Sequence, residues 1–154
     1  MKLGLVVYTC GHCHSTFEAP SLGEGAYGEF LLRSKEGGLA YLNVFLDPSY
    51  KDLDNILASI PMISYLSPSE RVKVLRRLYG PLACDLDSNS YPFELDAFPA
   101  CSECGSRDVV SWEFKNGAEM VEVPVQTLTH FHWSMLPHED KIEMIKFQLE
   151  ALGY

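Results

Sequence analysis

Long apolar runs are missing from this 154-residue chain: no segment approaches the ~18 consecutive apolar residues that suggest a membrane-spanning helix. The run Leu3–Val7 behind Lys2 is shorter than the roughly 7–15 apolar residues of an export signal, and Tyr8, Thr9 and Cys10 follow at once. A soluble, cytoplasmic protein with no membrane partner is the expectation. Positive charge is also scarce. Twelve Lys and Arg against 21 Asp and Glu give a formal net charge of -9, a field that on average repels phosphate backbones and anionic lipid. Absent too are a Gly-x-Ser-x-Gly elbow, a phosphate loop, a dinucleotide fingerprint and a His-Glu-x-x-His motif, so no enzyme is supported. No low-complexity tract interrupts a composition that is 47% apolar and 21% charged, which excludes disorder. At this length folding removes roughly 70% of the unfolded chain's surface from water, enough for one core, and residues 1–154 are expected to form a single domain.

What is present is five cysteines, an odd number, four of them in two Cys-x-x-Cys pairs: Cys10 with Cys13 and Cys101 with Cys104. That distribution suits metal in a reducing compartment better than a secreted disulfide framework. The two-residue gap lets a tight turn aim both sulfurs at one point, and two such turns complete a tetrahedral set with no open position. One structural Zn2+ per chain is the expectation. Spacing alone does not separate zinc from iron, but electron-transfer proteins of the iron type are usually compact, and this chain carries a long insert. Cys84 is the spare thiol, read as a small buried apolar residue without a role. His12 and His14 flank the first pair and are read as bystanders, because a histidine ligand would strand a thiol.

Around these cysteines the chain alternates between strand and helix signals. Leu3–Tyr8 and Thr16–Ala19 read as strands joined by the first cysteine turn, and Glu29–Arg33 and Leu39–Phe45 as a hairpin after a glycine-rich loop. Asp47-Pro48 predicts a helix start, with Leu53, Ile56, Leu57 and Ile60 at helical spacing up to Pro61. Ser67-Pro68-Ser69-Glu70 predicts a capping box and a second helix to about Tyr79, stopped by Gly80 and Pro81, with Val72, Leu75, Leu78 and Tyr79 facing inward. Residues 85–100 read as an acidic loop. Val109–Phe114 and Met120–Val123 read as strands joined by a tight hairpin turn at Asn116-Gly117. The stripe Ile142, Ile145, Leu149 and Leu152, widened by Met144, Phe147 and Ala151, predicts a terminal helix lying on the sheet.

With Gly105 after its second cysteine, the segment Cys101–Ser106 resembles the knuckle of the zinc-ribbon and rubredoxin-like families. The likeness covers residues 5–19 and 98–124. It departs from the family pattern at His14, where a glycine or small residue is usual, and in the distance between pairs, since residues 14–100 far exceed the roughly 15–20 of a compact ribbon. The resemblance implies an α+β fold: a zinc-ribbon antiparallel sheet from residues 1–19 and 98–124, an insert over 20–97 contributing a β-hairpin and two helices, and a C-terminal helical segment over 125–154. The segment from Thr129 through Trp133 into Leu136–Lys141 is also similar to the tails of uncharacterised small bacterial proteins with two cysteine pairs, which implies no function.

Three other constellations compete for a role. His130 and His132, on one face if the segment is extended, and His138 at the next helix start are candidate ligands for a second, catalytic metal, although no carboxylate motif accompanies them. Asp85–Asp96 resembles a calcium loop, yet Ser90 replaces its obligatory glycine, Pro92 interrupts it and Asp96 replaces the final glutamate. Arg71, Lys73, Arg76 and Arg77 make a basic face on helix 70–79, a candidate nucleic-acid contact. The reading favoured by all of this is a non-enzymatic, zinc-fixed module that binds another protein. A nucleic-acid reader and a metal-dependent enzyme are its alternatives.

Overall fold

A computed structural model describes residues 1–117 and 119–154 and shows a mixed α+β fold of two open sheets and five helices among them. In chain order the elements are β1 (Lys2–Cys10), β2 (Thr16–Ser21), β3 (Glu29–Ser34), β4 (Leu39–Asn43), α1 (Pro48–Ser59), α2 (Pro61–Ser64), α3 (Pro68–Ala83) and β5 (Phe93–Glu94). Then come β6 (Val109–Phe114), β7 (Met120–Glu122), β8 (Gln126–Thr127), α4 (Phe131–Met135) and α5 (His138–Ala151).

The first sheet is built on β1, whose alternating Val6, Tyr8 and Cys10 turn inward and are buried. β2 runs antiparallel along one edge with Tyr8 opposite Phe17, and those two rings stack at 5.5 Å. The other edge holds β6 and β7 end to end, both antiparallel to β1. Among the described residues they pair with β1 and not with each other, in place of the hairpin expected at Asn116-Gly117. β1 is nine residues long and offers one edge to both segments. Between the two segments Leu5 bridges the gap, its carbonyl accepting from the Lys115 amide (3.2 Å) and its amide donating to the Glu119 carbonyl (3.0 Å), and the β6 register shifts once more between Thr9 and Cys10.

In the second sheet β3 and β4 form the expected hairpin, from Glu29 opposite Asn43 to Arg33 opposite Leu39. The short strands β5, antiparallel to β3, and β8, parallel to β4, complete it; two-residue strands leave no periodic signal in a sequence. Both predicted helix starts are present. The Asp47 carboxylate accepts from the Tyr50 amide at 2.7 Å, and Ser67 and Glu70 exchange side-chain and backbone hydrogen bonds at 3.3 and 2.9 Å.

The end of α3 differs from expectation, running through Gly80 and Pro81 to Ala83. Gly80 serves close approach and not a left-handed cap: a Cβ there would meet the Phe93 carbonyl oxygen at 1.9 Å, so its absence lets β5 lie against the helix. Pro81 sits in the last turn, where it forfeits a single backbone bond while buried Leu78 and Leu82 hold the helix in place. On the same helix Leu75, Leu78 and Tyr79 are buried as expected, joined by Val74, whereas Val72 is exposed.

The terminal helix does not lie on a sheet. Ile145 and Leu149 of α5 enter the core shared by α1 and α3, and Phe147 stays exposed. Asp52 of α1 explains the docking, because it accepts from the Trp133 indole (3.0 Å) and the Lys141 ammonium (2.8 Å), and Lys141 covers the Trp133 ring. The C-terminal segment thus completes the insert's core. Two arginines link that body to the first sheet: Arg33 donates to the Pro20 carbonyl (2.5 Å), and Arg107 donates to the Ser34 carbonyl and to Glu94 (3.3 Å). Among the described residues no helix is long and apolar enough to cross a membrane.

Candidate metal centre

Each cysteine pair sits in a turn closed by the same two backbone bonds. In the first, the Cys10 amide donates to the Ser15 carbonyl (2.9 Å) and the His14 amide to the Cys10 carbonyl (3.1 Å). In the second, the Cys101 amide donates to Ser106 (2.8 Å) and the Gly105 amide to Cys101 (2.8 Å). Both turns need a left-handed residue after the second cysteine, supplied by Gly105 at φ 74° and by His14 at φ 63°. His14 therefore departs from the usual residue type without changing the shape of the turn. The Gly11 amide donates to the Asp108 carbonyl (2.8 Å), tying the first turn to the segment that follows the second.

Although Cys13 and Cys101 are 88 positions apart in the chain, their sulfurs lie 3.6 Å apart, as do those of Cys10 and Cys104. All four Sγ atoms fall within 4.8 Å of one another. A tetrahedron with metal–sulfur bonds of about 2.3 Å has edges of about 3.8 Å, so the set fits one ion. A disulfide would need about 2.05 Å, and every cysteine is free. Cys10 and Cys101 are buried, Cys13 is half-buried and Cys104 is exposed. The amides of His12 (3.4 Å) and Cys13 (3.5 Å) point at the Cys10 sulfur, as thiolate-stabilising donors would.

The thiols titrate in opposite directions. The hydroxyl and amide of Ser15 bring Cys13 down to about 6, and the Cys13 and His12 amides lower Cys10. Against the pull of the Ser106 amide, desolvation of its sulfur within the cluster and the neighbouring thiols push Cys104 up to about 12. Four thiols this close do not all ionise without a cation between them; a bound divalent ion removes that conflict. Zn2+ and iron are both matched by four sulfur donors.

The remaining candidates fall elsewhere. His12 and His14 are exposed, and neither joins the sulfur cluster, which among the described residues is the only group of three or more such side chains within metal reach. His132 and His138 are exposed on α4 and at the start of α5, so the extended segment expected to place His130 and His132 on one face is a helix turn. His130 is instead half-buried. Its Nε2 donates to the Asp47 carboxylate (2.8 Å) and its Nδ1 to the Ala83 carbonyl (2.5 Å). With two acceptor-only oxygens the ring is an imidazolium. Although burial opposes its charge, Asp47 and the other acceptors raise its pKa to about 10. No signal in the sequence links residues 47 and 130.

Cys84 lies buried beside that pair, as expected of a spare thiol, and burial raises its pKa. The calcium-like loop uses its acids internally: Asp85 accepts from the Phe131 and His132 amides (2.8 and 3.0 Å), and Asp87 from those of Asn89 and Tyr91 (2.9 and 2.8 Å). On the basic helix, Arg71 pairs with Asp54 (3.3 Å) and Arg76 with Asp96 (3.7 Å), which neutralises half of the predicted patch.

No family model matches the chain, and no curated protein or solved structure matches it either. The fold and the site by themselves define a mixed α+β protein whose four-cysteine cluster can hold a metal ion. Its likeness to a zinc ribbon rests on the two cysteine turns.

Proposed function

We propose that Cys10, Cys13, Cys101 and Cys104 bind one structural Zn2+ as thiolates, and that the protein is a non-enzymatic module of a reducing compartment, such as the cytoplasm, whose metal-fixed scaffold presents a surface to another protein. The convergence of four sulfurs within 4.8 Å from two distant turns carries this reading. Four protein donors leave no position for a substrate or an activated water, which separates a structural ion from a catalytic one. Zinc is favoured over iron because the cysteine turns serve a body with five helices and a long insert, unlike a compact electron carrier. A partner surface is supported on α4, where Phe131 and Met135 lie one turn apart, 73% and 69% exposed.

Elemental analysis of protein purified under reducing conditions tests the metal: one zinc per chain is expected, lost in Cys101→Ser. Two equivalents, or iron in protein grown with both metals, would contradict the reading. For the partner, affinity capture with the parent chain is compared with capture by a Phe131→Ser, Met135→Ser double variant. A protein retained by the parent alone is expected; identical captures would count against this surface.

A further inference from the structure

A cleft of about 710 Å³ opens between the two sheets, and none of the four clustered cysteines lines it. Its walls are aromatic, with Tyr8, Trp112 and Phe114 from the first sheet facing Phe30 of β3 and Phe98 of the incoming loop. That volume lies within the ~300–1,000 Å³ of small-molecule sites, and apolar walls with few polar groups are their usual lining.

One lining group lacks an anionic partner among the described residues. Arg33 is only 8% exposed and makes no ion pair among them; its guanidinium donates to the Pro20 carbonyl and lies within hydrogen-bonding influence of the Tyr8 hydroxyl, both of them uncharged. A guanidinium carries five donors, and holding its charge in so buried a place is costly unless an anion completes it. The acids around the cleft do not do so. Glu29 accepts from the Tyr41 hydroxyl, Asp96 pairs with Arg76, and Glu24 stands exposed at the rim. A second guanidinium, that of Arg107, binds the carbonyl of the adjacent Ser34 but is matched by Glu94, which leaves Arg33 as the cation of the cleft without a carboxylate.

We infer that this cleft binds a small molecule combining a flat ring with an anionic group, the ring packed among Phe30, Phe98 and Trp112 and the anion held by Arg33. The inference does not depend on which metal the cysteines hold. Indole-3-acetate, neutral indole and cationic tryptamine serve as probes, each titrated into isotope-labelled, metal-loaded protein followed by two-dimensional amide NMR. Indole-3-acetate is expected to give saturable shifts confined to residues 6–8, 30–33, 95–99 and 112–114. It should bind about tenfold or more tightly than indole, as a charge-assisted pair implies, with tryptamine no better than indole. Arg33→Met should abolish the preference for the carboxylate while leaving indole binding unchanged. Trp112→Ala, at a position 55% exposed where folding is safe, should weaken all probes together. Absence of saturable shifts at millimolar concentration, shifts centred outside the cleft, or tryptamine binding as tightly as indole-3-acetate would overturn the inference.

Discussion

The cysteine-bearing sheet and the helical half are held together by different physics. Among the described residues, the helical half buries twenty side chains in one cluster joining the second sheet, α1, α3 and α5. The cysteine sheet buries Leu3 and a cluster of six, two of which are Cys10 and Cys101. Full burial of an aliphatic or aromatic side chain contributes roughly 1.5–3 kcal/mol, so the five others supply little against the entropy of ordering their strands. Zinc bound by four thiolates can contribute about 10–16 kcal/mol of apparent free energy, more than that small core. With zinc bound as proposed, the difference teaches that the metal would stand in for a core on one side of the molecule and be dispensable on the other.

Removing the metal should have the largest effect. A Cys101→Ser chain should lose its zinc and be cut by protease first within residues 98–122, while its far-ultraviolet dichroism keeps the helical signal. If the helices melt together with the first sheet, the two halves are a single cooperative unit and the contrast drawn here is broken.

The helical half should respond to a change that leaves the metal untouched. Breaking this half-buried, charge-assisted pair by His130→Ala should cost about 1.5–3 kcal/mol in denaturant unfolding, with zinc content unchanged. The pair also sets a pH dependence. Folding raises the His130 pKa from its ordinary value of 6.5 to about 10, so its stabilisation is fully present below about pH 6.5 and is lost as pH rises through about 10. Asp47, lowered in the fold although burial opposes it, must stay ionised, so acid also weakens the pair. The difference between parent and variant should therefore be large at pH 6 and small above pH 10; a difference independent of pH would show that the imidazolium is not what holds α1, α3 and α4 together.

Gly80→Ala sharpens the account of the same half. A methyl 1.9 Å from the Phe93 carbonyl forces β5 off α3, and overpacking of this kind costs about 1–3 kcal/mol. A solvent-exposed stop signal would barely register the change. The smallest effect belongs to the first cysteine turn, where His14→Gly should relieve a left-handed backbone and stabilise the metal-bound protein by about 1 kcal/mol, read as a higher melting temperature.

What could be read in the sequence was local. Two residues between paired cysteines define a turn, Asp47-Pro48 and Ser67 through Glu70 define helix starts, and all of these are present as expected. What could not be read depends on residues distant in the chain. Asn116-Gly117 signals a hairpin, yet both flanking strands find the edge of β1. Gly80 and Pro81 look like a stop only until Phe93 packs on the helix. The apolar stripe of α5 was visible, but its choice of helices over a sheet follows from Asp52 meeting Trp133 and Lys141, more than eighty residues away.

Amide hydrogen exchange, measured residue by residue on the metal-loaded protein and again after chelation, tests the division most directly. Loss of protection in β1, β2 and β6, with α1, α3 and α5 still protected, is the result the account predicts. Unchanged protection of β1 in metal-free protein would contradict it.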